Sequence, residues 1–277
     1  MSLQKLSAFT RNGQGGNPAG VLLSDALPRD DDMQRIAAEV GYSETAFAAP
    51  DGPGWRMRYF APEGEVPFCG HATIALGAAL GQAHGAAVYL LHLNDTKISV
   101  EAYEQDGVWG ARLVSPPTRY ALSEPDVQQE VMALFGLDAD DLDPLIPIAR
   151  VHGGADHLAL ALARDDTVVN MAYDFDTGAE FMSRHGFVTV TLFHRIAPDL
   201  IHARNAFAGH GVYEDPATGA AAAALAGYLR DAGIQSGPFR VVQGQEMGRP
   251  SELWVTPHKG QGMPIEIAGA TQAISDT

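Results

Sequence analysis

Short apolar or alternating runs, broken by Gly, Pro and Asn, predominate along this chain, and helical periods are few. Residues 6–10 and 20–24 read as strands around a Gly- and Asn-rich turn. Residues 29–40 read as an amphipathic helix, with Met33, Ile36, Ala37 and Val40 at helical spacing. Residues 43–50 and 55–62 read as strands joined by a turn at 51–54. The stretch 70–84 is Ala- and Leu-rich with almost no polar face, which predicts a helix buried all round. Strands near 87–93, 96–104 and 108–114 follow, then a Pro- and Ser-containing connector over 115–126. Beyond it come a helix near 126–135, strands near 146–151 and 157–163, and a helix near 175–185. Strands near 187–194 and 200–208 lead to a second all-apolar helix over 218–232, with final strands near 239–243, 252–256 and 263–268. Turns join most strands, so the sheets are expected to be largely antiparallel.

The two apolar helices sit in an internal repeat. EVPFCGHATIALGAAL (65–80) aligns without gaps on EDPATGAAAAALAGYL (214–229), with seven identities in sixteen positions. Ala and Leu identities carry little weight in such helices, but a shared E-x-P-x-x-G element just before each helix carries more. The expected fold is α+β, with two pseudo-symmetric halves, each a mainly antiparallel sheet wrapped around a central buried helix. The halves are 1–117, with its helix near 70–84, and 118–277, with its helix near 218–232; the last strand is free to return to the first half.

Composition narrows the chemistry. The 277 residues carry 18 Lys+Arg against 34 Asp+Glu, a formal net charge of -16. No basic cluster reverses that sign locally, so nucleic acid is not an expected partner. A single Cys excludes an internal disulfide and a cysteine zinc cluster. There is no H-E-x-x-H and no P-loop, and neither metal nor organic cofactor is expected. The N-terminus lacks a cationic start followed by an apolar run, and no apolar stretch reaches membrane-spanning length. The expectation is a cytoplasmic protein that does not meet the membrane. What remains is a small-molecule site. Gly70 and Gly219 open the two buried helices, whose first amides have no intrahelical partner and carry partial positive charge. If the halves face each other across a cleft, the two ends converge and would hold a carboxylate without Arg or Lys; otherwise both glycines are ordinary turn residues before core helices.

NPAGV (17–21), SETAF (43–47), YFAPEGEVPFCGHAT (59–73), EDPATGAA (214–221) and QGQEMGRPSEL (243–253) resemble, in order and over essentially the whole chain, the PhzF-like family of phenazine-biosynthesis-type isomerases. The resemblance implies a diaminopimelate-epimerase-like fold with the site between the halves, and a homodimer. It also implies that Glu44 is the general acid/base, a role that suits a carboxyl group of raised pKa shielded from water. His71 and Asp215 match the family's polar site residues; on physical grounds alone Asp215 equally suits a helix cap. The backbone of Gly70, His71, Gly219 and Ala220 would bind the substrate carboxylate. Phenazine-pathway members carry Ser where this chain has Ala220, so the resemblance does not settle the substrate. Asn17 is a candidate lining residue or a structural turn residue.

In the related cofactor-independent racemases, one Cys precedes a Gly at each helix start. Cys69 holds the first of those positions, and the repeat puts Thr218 at the second. A threonine hydroxyl is not a base at neutral pH without assistance, so a two-thiol racemase is excluded. The expected activity is a cofactor-independent isomerase of the trans-2,3-dihydro-3-hydroxyanthranilate isomerase type, moving a proton and a double bond on a small carboxylate through Glu44. Two alternatives stay open. One is a Cys69-dependent epimerase or dehydratase on the same fold; the other is a small-carboxylate binding protein without turnover.

Overall fold

The computed structural model describes residues 2–275. They pack into two compact units, residues 2–114 with 268–275, and residues 115–267. Both are α+β.

The first unit contains β1 (Ser2–Ala8), β2 (Asn17–Leu23), α1 (Asp30–Val40), β3 (Thr45–Asp51), β4 (Gly54–Ala61), β5 (Gly64–Val66), α2 (Gly70–His84), β6 (Val88–His92), β7 (Lys97–Gln105) and β8 (Val108–Val114). Pairing is antiparallel except for β2–β3 and β4–β6. Each of those parallel pairs has a helix between its strands, as a parallel connection requires. α2 is the centre of the unit and touches β1, β2, β3, β7 and β8. Residues 71–81 of this helix are all buried. Gly77 and Gly81 lie one turn apart and admit the neighbouring strands. A Cβ on Gly77 would stand 2.6 Å from Val100 Cγ2, and one on Gly81 would run into the Trp109 ring. α1 covers a separate apolar cluster of Leu22, Met33, Ala37, Phe47 and Phe60.

The second unit contains β9 (Arg119–Leu122), α3 (Pro125–Phe135), β10 (Ala149–His152), β11 (Asp156–Ala161), α4 (Asp165–Val169), α5 (Phe175–His185), β12 (Thr189–Ala197), β13 (Leu200–Ala206), β14 (Glu214–Asp215), α6 (Gly219–Asp231), β15 (Phe239–Gln243) and β16 (Ser251–Pro257). β17 (Ile265–Ala273) begins in this unit and continues into the first, where it pairs with β1. The parallel pairs are β11–β12 and β13–β15, again with helices between them. α6 is buried from Ala221 to Leu229 and touches β9, β10, β11 and β16. Helices α3 and α5 pack on the other side of the strands, where Val127, Val131, Phe181 and Met182 meet Leu158, Leu160, Val190 and Leu192.

Several boundaries differ from the sequence expectation. β1 stops at Ala8 because Phe9 takes a left-handed φ of 61°. β3 starts at Thr45, which leaves Ser43 and Glu44 in the preceding loop. The 115–126 stretch is not a plain connector, since β9 pairs with β10 inside it and Pro125 starts α3. Proline is well suited to a helix's first position, so there it marks a start.

Candidate functional site

In the first unit, Glu44 is held by its backbone. Its carbonyl accepts from the Gly20 N–H at 3.1 Å, which ties the loop to β2. Gly20 is needed for that approach, because a Cβ there would stand 2.6 Å from Thr45 Oγ1. This explains the glycine of NPAGV. Its Asn17 is buried as the first residue of β2, opposite Ala8.

The Glu44 side chain meets the start of α2. Glu44 Oε2 lies 3.3 Å from His71 Nε2. The approach is close enough for an ion pair but is not aligned as a hydrogen bond, and this buried oxygen has no hydrogen-bond partner. Ser43 Oγ also stands 3.3 Å from His71 Nε2. Cys69 Sγ is 3.3 Å from His71 Nδ1 and 3.9 Å from Nε2. The imidazole thus has both a carboxylate and a thiol beside it, with the three donor atoms within 4.8 Å of one another. Cys69 is the helix N-cap and His71 the second residue of the helix.

The Cys69 backbone is fixed from below. Its carbonyl accepts from the Thr73 N–H at 3.0 Å and from Thr73 Oγ1 at 2.6 Å. Tyr59 Oη lies 2.5 Å from Thr73 Oγ1. Burial pushes the Tyr59 phenol far up, its bond to Thr73 opposes this and Cys69 adds to it, so Tyr59 stays protonated. Gly70 is the partly exposed start of an otherwise buried helix, and a Cβ there would meet nothing within 4 Å.

The second unit carries a different set at the start of α6. Thr218, the N-cap, donates from Oγ1 to Asp215 Oδ2 at 2.5 Å. Asp215 stands opposite Asn205 in the short β14. Thr218, Gly219 and Ala220 are partly exposed, whereas the helix beyond them is buried.

Ser43 and Gln243 have no role in the sequence expectation. Both lie inside quoted motifs, SETAF and QGQEMGRPSEL, which was the available signal. The Thr218 N–H donates to Gln243 Oε1 at 3.4 Å, and the buried Gln243 Nε2 has no hydrogen-bond partner.

The geometry can be compared with known proteins. The family model described as phenazine biosynthesis-like protein (PhzC-PhzF) matches residues 6–276. An uncharacterized isomerase of Bacillus subtilis, YfhB, is 29% identical over 287 residues, covering 99% of this chain and 96% of the relative. A trans-2,3-dihydro-3-hydroxyanthranilate isomerase of Pseudomonas fluorescens is 32% identical over 276 residues, covering 95% and 94%. The crystal structure of a Bacillus anthracis phenazine biosynthesis protein of the PhzF family superposes with a TM-score of 0.85 at 23% identity, over 99% of this chain and 96% of that one, which shows a shared fold.

An α+β chain matched almost end to end by isomerases is itself an isomerase. It belongs to the phenazine biosynthesis-like PhzC-PhzF family. Among the described residues, no helix is long and apolar enough to cross a membrane.

Proposed function

We propose that this isomerase shifts a proton and a double bond on a small carboxylate substrate, in the manner named for the Pseudomonas fluorescens relative, with Glu44 as its single acid/base. The observation that carries the assignment is the buried Glu44 Oε2, which has no hydrogen-bond partner and lies 3.3 Å from His71 Nε2. A carboxylate with one oxygen unpartnered can act as a base that takes a proton from carbon and returns it on the same face. His71 orients the carboxylate and assists proton movement, and Ser43 helps to set the ring. The first-turn amides of Gly70 and His71 suit a substrate carboxylate. In the second unit, the Thr218–Asp215 pair and the partly exposed Gly219 and Ala220 form a separate polar helix start that suits a polar ligand group. No metal or organic cofactor has a part in this reaction scheme.

The connectivity supports reading the units as related halves. β4–β5–α2–β6–β7 and β13–β14–α6–β15–β16 follow one plan: an antiparallel return, a buried helix, a parallel strand, then an antiparallel partner. A cytoplasmic homodimer is the proposed working form, and light scattering on the eluted protein checks the dimer.

Glu44→Gln tests the mechanism. Incorporation of deuterium from heavy water into trans-2,3-dihydro-3-hydroxyanthranilate, and into a panel of related small acids, is expected to fall by about 10²-fold or more. Undiminished exchange overturns the assignment. A second reading, a Cys69-dependent epimerase or dehydratase, is favoured by the 3.3 Å contact between Cys69 Sγ and His71 Nδ1. Full activity of Cys69→Ser rules that reading out.

A further inference from the structure

The start of α2 brings together three different metal-ligand donors. Cys69 Sγ, one imidazole nitrogen of His71 and one carboxylate oxygen of Glu44 lie within 4.8 Å of one another. With His71 Nε2 as the nitrogen, the edges to Glu44 Oε2 and Cys69 Sγ are 3.3 Å and 3.9 Å. Zn–S of about 2.3 Å, Zn–N of about 2.0 Å and Zn–O of about 2.1 Å at tetrahedral angles require edges of roughly 3.4–3.6 Å. These two edges bracket that range, and the third, from Cys69 Sγ to Glu44, lies within 4.8 Å, so side-chain rotations are needed to close the set. The Cys69 and His71 side chains are both buried, and Glu44 Oε2 is a buried oxygen with no hydrogen-bond partner.

We propose that Glu44, Cys69 and His71 form a binding site for a soft divalent cation of the zinc class, and that the cation acts as an inhibitor. Thiolate and imidazole donors select zinc over magnesium or calcium. A thiolate, a carboxylate and a neutral imidazole together neutralise the charge of the dication. On binding, the Cys69 thiol gives its proton to solvent and the sulfur pair forms the metal bond; nothing is oxidised. The helix N-terminus opposes a cation but favours the thiolate that binds it. An open zinc site takes a water as its fourth ligand. The inhibitory half of the proposal rests on the catalytic reading of Glu44, since a metal-bound carboxylate cannot take a proton from substrate. The binding half does not.

Cobalt(II) is a direct probe. Cys69 is the only cysteine in the chain, so a thiolate-to-cobalt charge-transfer band can arise nowhere else. Titrating the metal-free full chain with Co²⁺ should give that near-ultraviolet band at one equivalent, and Zn²⁺ should bleach it. Cys69→Ala should abolish the band, and Glu44→Gln and His71→Ala should each weaken cobalt affinity by at least about tenfold. Protection of wild-type Cys69 from iodoacetamide by Zn²⁺, followed by mass spectrometry, reads the same site without a variant. No band with excess cobalt, no protection by zinc, or a band of unchanged affinity in both Glu44→Gln and His71→Ala overturns the site. Bound zinc with undiminished solvent exchange overturns the inhibition alone. Glu44→Gln with full exchange but weakened metal binding overturns the catalytic reading and leaves the site standing.

Discussion

His157 lies in β11 on the strand face opposite the apolar cluster, and it is fully buried. Its Nδ1 is 2.8 Å from Thr189 Oγ1, which donates to Asn205 Oδ1 at 3.3 Å, and Thr191 Oγ1 donates to the same oxygen at 2.6 Å. The His157 Nε2 has no hydrogen-bond partner. Burial pulls its pKa from 6.5 down to about 3; Asp156 opposes this, while His152 and His210 add to it. The folded chain therefore holds this ring neutral, and the unfolded chain binds the extra proton between about pH 6.5 and pH 3. Stability falls as the pH drops through that window, by about 1.4 kcal/mol per pH unit. The loss relative to pH 8 is about 2 kcal/mol at pH 5 and approaches 5 kcal/mol near pH 3. His157→Asn keeps a polar atom near Thr189 but does not titrate. Urea unfolding of both proteins at pH 8, 7, 6 and 5 gives the test. Carboxylate titration is common to the two, so the difference between their curves isolates the histidine. The wild-type protein should lose about 2 kcal/mol more than the variant between pH 8 and pH 5. Parallel curves would refute the argument, as would an NMR titration placing the His157 ring near pH 6.5.

Three further outcomes follow from packing and pairing. Gly77→Ala gains about 1 kcal/mol of helix propensity, but its Cβ would stand 2.6 Å from Val100 Cγ2 and 2.8 Å from Ala111 Cβ, both fully buried. Overpacking costs about 1–3 kcal/mol, so a net loss of about 1 kcal/mol is expected in the urea midpoint, and a stabilised variant would contradict the fit. Glu214→Ala leaves the buried Arg204 guanidinium without the carboxylate that accepts from its Nε at 3.0 Å, which should cost about 3–5 kcal/mol in calorimetry. Thr218→Val removes the hydroxyl held 2.5 Å from Asp215 Oδ2. Loss of a hydrogen bond to a charged group, worth about 1.5–3 kcal/mol, should lower kcat/KM by about tenfold or more if Asp215 acts as a carboxylate in the reaction. An unchanged kcat/KM denies Asp215 that role.

The parts of the fold that were legible are those decided by local composition. α2 and α6 were readable because Ala- and Leu-rich runs with no polar face admit only a buried helix. β5, β14 and α4 were not, since two to five residues hold too little pattern to stand above their turns. Nor did any local pattern mark the His157–Thr189–Asn205 layer. It is assembled from three strands, and each polar residue alone looks like an ordinary break in an apolar run. At the site, Cys69 and His71 were readable as neighbours of a helix start. The approach of Glu44 was not, because it depends on Gly20 letting β2 close on Thr45, and only the family resemblance pointed to it. The repeat bears on the single-base proposal. It preserved an E-x-P-x-x-G turn and a buried helix in both units, but it did not preserve the reactive atoms. One helix start carries a thiol and imidazole near a carboxylate, and the other a hydroxyl bound to Asp215. Two equivalent thiols would suit inversion at a single carbon. Unequal sets fit the proposed reaction, whose proton leaves and returns through one group. A formal charge of -16 does not bar a carboxylate ligand, because helix amides attract an anion without side-chain cations.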